Sequence, residues 1–158
     1  MTNPAGHSEE SMRNAELAKL DGLIGEWKTT LSDAWFLEPP GTEVPAATTI
    51  ERLGESFLVV RIEFGGGAHN SGMNLVIGRS DANDIYVALY EDERGVCRQY
   101  AMTFDGARWI LNREDPDMYQ RFIADVEKDR ILGRWEASED QGKTWRKDYD
   151  LTFERSRG

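Results

Sequence analysis

Arg98, Tyr100, Arg113, Lys147 and Tyr149 combine fixed cations with phenol hydroxyls, the side-chain types that hold a carboxylate or another oxyanion. Their neighbours make them candidates. In a strand, side chains alternate between two faces. Alternation in segment 95–104 puts Val96, Arg98, Tyr100, Met102 and Phe104 on one face, and in 107–113 it aligns Trp109, Leu111 and Arg113. In the last segment, Trp145, Tyr149, Leu151 and Phe153 share a face onto which Lys147 also falls. In the first, Trp27, Leu31, Trp35 and Leu37 line up with Asp33 between them. A cation on an apolar face is costly unless it is paired or meets an anion. Two readings stay open. In one, Arg98, Arg113 and Lys147 meet a ligand oxyanion, with Tyr100 and Tyr149 adding hydroxyls and Trp35, Met102 and Trp109 forming apolar walls. In the other, the cations snorkel to water at the ends of the fold or pair with Asp33 or Glu91.

Other chemistry has less to stand on. Cys97 alternates with Arg98 and so points to the opposite face, and the chain's two histidines, His7 and His69, offer little to activate it. The acidic runs Glu91-Asp92-Glu93 and Asp115-Pro116-Asp117 read as solvated turns. No metal site is expected, and no cofactor. The stretch Ser138-Glu139-Asp140-Gln141-Gly142-Lys143-Thr144-Trp145 fits the Asp-box pattern S-x-D-x-G-x-T-W of sialidase propellers. A single copy describes a hairpin. Asp140 accepts from turn N–H groups, Gly142 supplies a positive φ, and Trp145 packs beneath.

The elements that must position these residues follow from the turn chemistry. Candidate strands are 25–37, 45–53, 55–64, 71–79, 83–91, 95–104, 107–113, 118–127, 130–138 and 143–155. Between them lie breakers such as Glu38-Pro39-Pro40-Gly41, Gly65-Gly66-Gly67, Asp105-Gly106, Lys128-Asp129 and Asp140-Gln141-Gly142. Before them, residues 1–8 read as a disordered tail and 9–21 as a short helix. Ser8 is its N-cap, Glu9 and Glu10 lie in its first turn, and Gly22 and Gly25 follow its end. Residues 9–158 then form a single all-β domain. Short sequential strands leave edges that closure removes, so the expected architecture is an antiparallel up-and-down β-barrel of about eight to ten strands. A barrel of that size can enclose one small ligand.

Composition agrees and excludes. The chain has 158 residues, enough for one domain with a full core, and a net charge of −10. That charge argues against nucleic acid and against an anionic membrane surface as partners. One cysteine rules out an intramolecular disulfide framework. No apolar leader is visible at the start, so a cytoplasmic protein is expected.

Leu20-Asp21-Gly22-Leu23-Ile24-Gly25-Glu26-Trp27 resembles the L-x-x-L-x-G-x-W opening of the calycin superfamily, which includes lipocalins and fatty-acid-binding proteins. Glu93-Arg94-Gly95-Val96-x-Arg98-x-Tyr100, Gln120-Arg121-Phe122 and Gly133-Arg134-Trp135-Glu136-x-Ser138-x-Asp140 are similar to stretches of a bacterial lipocalin-like group of unknown function. The resemblance implies a calycin-like barrel with an interior cavity. It gives Trp27 a structural place at the closed end, under Arg155 as a cation–π partner. Arg98-x-Tyr100 has the local form of the carboxylate-binding pair of fatty-acid-binding proteins. The haem-binding nitrobindins use a histidine near the C-terminus, and none follows His69 here.

The expected function is binding of a small, largely apolar molecule, with room for an anionic group, inside the barrel. A cofactor-free enzyme, a cyclase or isomerase of secondary metabolism, would use the same cavity. The third reading is a barrel filled by side chains that acts as an interaction protein, for example as a homodimer.

Overall fold

The computed structural model describes residues 15–65 and 71–156. The expected tail, Ser8 cap, first part of the helix, His7 and His69 lie outside them. The helix appears as α1 (Ala15–Ala18) followed by a 3-10 turn over Lys19–Leu23. Ten strands follow: β1 (Gly25–Ser32), β2 (Val44–Leu53), β3 (Phe57–Phe64), β4 (Ser71–Ser80), β5 (Ile85–Asp92), β6 (Cys97–Phe104), β7 (Arg108–Glu114), β8 (Tyr119–Val126), β9 (Arg130–Ser138) and β10 (Arg146–Arg155). Each pairs antiparallel with its sequence neighbours, and β1 also pairs with β10, from Trp27 opposite Arg155 to Ser32 opposite Asp150. The barrel is closed and has no free edge.

Alternation sorts the strands into an apolar inside and a charged outside. Tyr86, Ala88 and Tyr90 of β5 are buried, as are Tyr100, Met102 and Phe104 of β6, and Phe122 and Ala124 of β8. The two ends differ in what closes them. At one end, Leu17, Leu20 and Leu23 of the helical segment are buried with Trp27, Ile50, Leu58, Ile77 and Phe153. The Tyr86 hydroxyl donates to the Glu16 carbonyl, and Arg52 pairs with Asp21. The opposite, loop end carries the β1–β2, β3–β4, β5–β6, β7–β8 and β9–β10 connections.

Between these ends the interior is packed around an apolar floor. Val60, Leu75, Trp109, Phe122, Leu151 and Phe153 surround a void of about 10 Å³, which is the space of roughly one water molecule. Filling is achieved by size alternation. The Phe122 ring lies over Gly133, where an added Cβ would come within 2.4 Å of the ring.

Two strand boundaries differ from expectation. β1 stops at Ser32 instead of running to residue 37, because Asp33 takes a left-handed φ of 49° that no extended strand accommodates. β10 starts at Arg146, not 143, and its register against β9 shifts between Lys147 and Tyr149. This bulge changes which residues face inward.

Candidate functional site

Several cations lie at the loop end, and their partners separate them. Arg113, on the inner face of β7 beside Gln120 of β8, is buried but committed to its own turn. Its guanidinium lies 2.7 Å from the Asp115 carboxylate and 2.9 Å from that of Asp117, and it donates to the Met118 carbonyl. Arg113 therefore does not present a free charge to the interior. Arg94 is held against Asp92, whose buried carboxylate also accepts from the Tyr90 hydroxyl at 2.7 Å. The Arg94 hydrogen bonds, with help from the Tyr90 hydroxyl and the Arg94 N–H, hold the Asp92 carboxyl down at about 2. Asp92 is thus a buried structural counter-ion, while Asp115 and Asp117 pair with Arg113 from the solvated turn expected.

Lys147 is displaced to the outside by the β10 bulge. It pairs with Asp33 and lies 3.1 Å from Asp150, an outward residue of the same strand. Trp145, expected on the inner face with Tyr149, also lies outside, where the Arg121 guanidinium stacks 3.8 Å over its ring while bonding Glu136. Trp35 is not a cavity wall. Past the Asp33 kink it sits in the β1–β2 loop at 65% exposure, donating its indole N–H to Asp148 beneath the Arg146 guanidinium. Arg146 in turn pairs with Asp148 at 2.8 Å. Met102 and Trp109 are buried but bonded to each other, the indole N–H reaching the Met102 sulfur at 3.2 Å. They belong to the packed floor.

Arg98, Tyr100 and Tyr149 are brought together by residues that were not among the candidates. Arg98 stands on the inner face opposite Tyr90, with its guanidinium 6.0 Å from that ring. It donates to Gln120 Oε1 at 3.3 Å and makes no ion pair among the described residues. The same oxygen accepts from the Tyr100 hydroxyl at 2.6 Å. Because arginine can only donate, Gln120 must turn its carbonyl toward this pair, which leaves its amide nitrogen as the free end. The Tyr100 ring meets Trp135 edge-on at 5.7 Å, and Trp135 meets Tyr149 at 6.5 Å. Phe36 from the β1–β2 loop completes the row, edge-on to Tyr149.

Two polar atoms in this row stand out. Trp135 is 3% exposed, and its indole N–H has no hydrogen-bond partner among the described residues. The Tyr149 hydroxyl likewise has none there, and burial pushes its ionisation upward. Burial does the same to Tyr100, and burial together with the Asp92 carboxylate does it to Tyr90. All three phenols therefore remain protonated at neutral pH. Alternation in Gln120-Phe122-Ala124 and Ile131-Gly133-Trp135 carries the signal that could have found the two missing members.

The residues with structural assignments are each held by local contacts. Arg155 lies 4.1 Å over the Trp27 ring and donates to the Gly22 and Ile24 carbonyls at 2.8 Å. Gly25 is required between them: its φ is 143°, and a Cβ would meet the Arg155 guanidinium at 2.6 Å. In the β9–β10 turn, Asp140 accepts from the Thr144 N–H and hydroxyl and from Ser138, and this holds its carboxyl at about 2. Gly142 takes φ 86°, and an added Cβ would lie 3.4 Å from the Tyr119 ring and 3.8 Å from that of Trp145. Among the described residues, no group of three His, Cys, Asp or Glu is placed to hold a metal ion, and no helix is long and apolar enough to cross a membrane.

Neither a protein-family model nor a curated protein matches the chain. Among solved structures it is similar to the crystal structure of Rv2717c from M. tuberculosis, with a TM-score of 0.64 and 11% identity over 92% of this chain and 99% of that one. It also overlaps a de novo designed fluorescence-activating β-barrel, with a TM-score of 0.43 and 10% identity over 84% of this chain and 93% of the design. The first likeness shows the fold: a closed, ten-stranded antiparallel barrel.

Proposed function

We propose that the protein binds a small, largely apolar molecule bearing one anionic group, at the loop end of the barrel. The observation that carries this reading is the isolation of Arg98. It faces inward and is half-buried, yet makes no ion pair among the described residues, whereas Arg94, Arg113, Arg121 and Arg146 at the same end each have a carboxylate. An uncompensated cation beside an apolar wall favours an anion that brings its own apolar body. Tyr90, Tyr100, Trp135, Tyr149 and Phe36 supply the wall. The packed floor confines such a ligand to the upper barrel.

That floor also favours a second reading, a filled barrel that associates through its outer surface. Phe57, Val87 and Leu89 are exposed there, with Val87 and Leu89 both on β5. The two readings part in a titration with 8-anilinonaphthalene-1-sulfonate and its uncharged counterpart, N-phenyl-1-naphthylamine. The anion site predicts at least about tenfold tighter binding of the sulfonate, abolished in Arg98→Leu, since one charge-assisted contact is worth about 1.5–3 kcal/mol. Equal affinities, unchanged in the variant, contradict it. Absence of binding combined with a dimeric mass in solution supports the second reading.

A further inference from the structure

The chemistry left over at the loop end is mostly that of donors. Gln120 directs its carbonyl to Arg98 and Tyr100, so its amide nitrogen offers only donors. The Trp135 indole N–H is a buried donor with no partner among the described residues. The Tyr149 hydroxyl, which can donate or accept, has no partner there, and Arg98 has no acceptor but Gln120. The acceptors that could balance them are already engaged: Asp92 by Arg94 and Tyr90, and Asp115 and Asp117 by Arg113. A buried donor left unmade is expensive, and its cost falls on ligands that lack the matching acceptor.

Building on the anion reading above, we propose that the site selects a monoanionic, planar aromatic acid that also carries a neutral oxygen acceptor, such as a ring ketone. The single uncompensated charge at Arg98 sets the charge of the ligand. The rings of Tyr90, Tyr100, Trp135 and Tyr149 match a flat aromatic body. Trp135 and Tyr149 are cross-strand partners, and their unpartnered groups suit a second oxygen that the carboxylate, held at Arg98, does not supply.

Three acids of one skeleton test this by calorimetry on the full chain: 9-fluorenone-2-carboxylate, fluorene-2-carboxylate and 9-hydroxyfluorene-2-carboxylate. The ketone and the alcohol, which both carry the second oxygen, are each expected to bind about tenfold tighter than the fluorene acid. Tyr149→Phe and Trp135→Phe, checked for folding by circular dichroism, should each shrink the ketone preference while leaving the fluorene acid within about twofold. Arg98→Leu should weaken all three alike. Equal binding of the three acids with intact Arg98 dependence overturns this inference and leaves the anion site standing. So does failure of all three to bind while 8-anilinonaphthalene-1-sulfonate binds through Arg98. A ketone preference that survives in both Tyr149→Phe and Trp135→Phe overturns it as well. If neither the three acids nor the sulfonate binds, both readings fall.

Discussion

Each end of the barrel holds a buried tryptophan and an inward-pointing arginine, and the two pairs are used in opposite ways. At the helix end, the Trp27 indole N–H is donated to the Leu23 carbonyl at 3.0 Å, while Arg155 covers the ring and bonds the Gly22, Ile24 and Lys128 carbonyls. Both members of the pair donate to backbone carbonyls, so the pair acts as a seal. At the loop end, the Trp135 N–H has no partner among the described residues and Arg98 has a single neutral one. The same residue types are closed in one place and open in the other. The difference is the supply of acceptors. The helical segment brings free carbonyls to the barrel floor, whereas the loop-end carboxylates are taken by Arg94, Arg113 and Arg146.

The comparison breaks most easily at the seal. Trp27→Ala removes a fully buried ring and should destabilise the fold by about 3–5 kcal/mol. Trp135→Phe, which deletes an unpaired donor and keeps a ring, should cost only about 1 kcal/mol. Denaturant unfolding of both variants measures the contrast, and equal losses would erase it.

Arg155→Leu strands the Gly22 and Ile24 carbonyls and uncovers Trp27, an expected loss of about 2–3 kcal/mol. A loss below about 0.5 kcal/mol would mean that the seal does not depend on it. Asp92 sharpens the picture from the loop end, because it shows what a compensated arginine there does. Its folded value near 2 lies below the ordinary 3.8. The resulting stabilisation is therefore complete above about pH 4 and is lost as the pH falls toward 2, to an extent of about 2 kcal/mol. Asp92→Asn should flatten that part of the acid-unfolding profile. An unchanged profile would show that the Arg94–Asp92–Tyr90 cluster is not coupled to folding. The smallest effect belongs to Arg98→Leu, whose stability should stay within about 0.5 kcal/mol of the parent, since no ion pair is broken.

The barrel was legible in the sequence because turn residues punctuate nearly every strand and each strand alternates cleanly. The pairing of Arg98 with Tyr100 was legible for the same reason. What alternation does not carry is anything decided between strands or by a single backbone kink. One left-handed residue, Asp33, sends Trp35 out of the wall. One bulge in β10 moves Lys147 and Trp145 to the outer surface while Tyr149 stays inside. Arg113 looked equivalent to Arg98 by spacing, yet a turn two to four residues further on neutralises it. Partnership, more than position, separates a ligand-facing cation from a structural one, and it becomes visible only when the strands are closed into a ring.

The indole N–H signals of nitrogen-15-labelled protein test the opposition of the two ends most directly. On titration with 8-anilinonaphthalene-1-sulfonate, the Trp135 signal should shift and the Trp27 signal should stay in place, and Arg98→Leu should abolish the Trp135 shift. A Trp135 signal that ignores the sulfonate, or Trp27 and Trp135 signals that move together, would contradict the account.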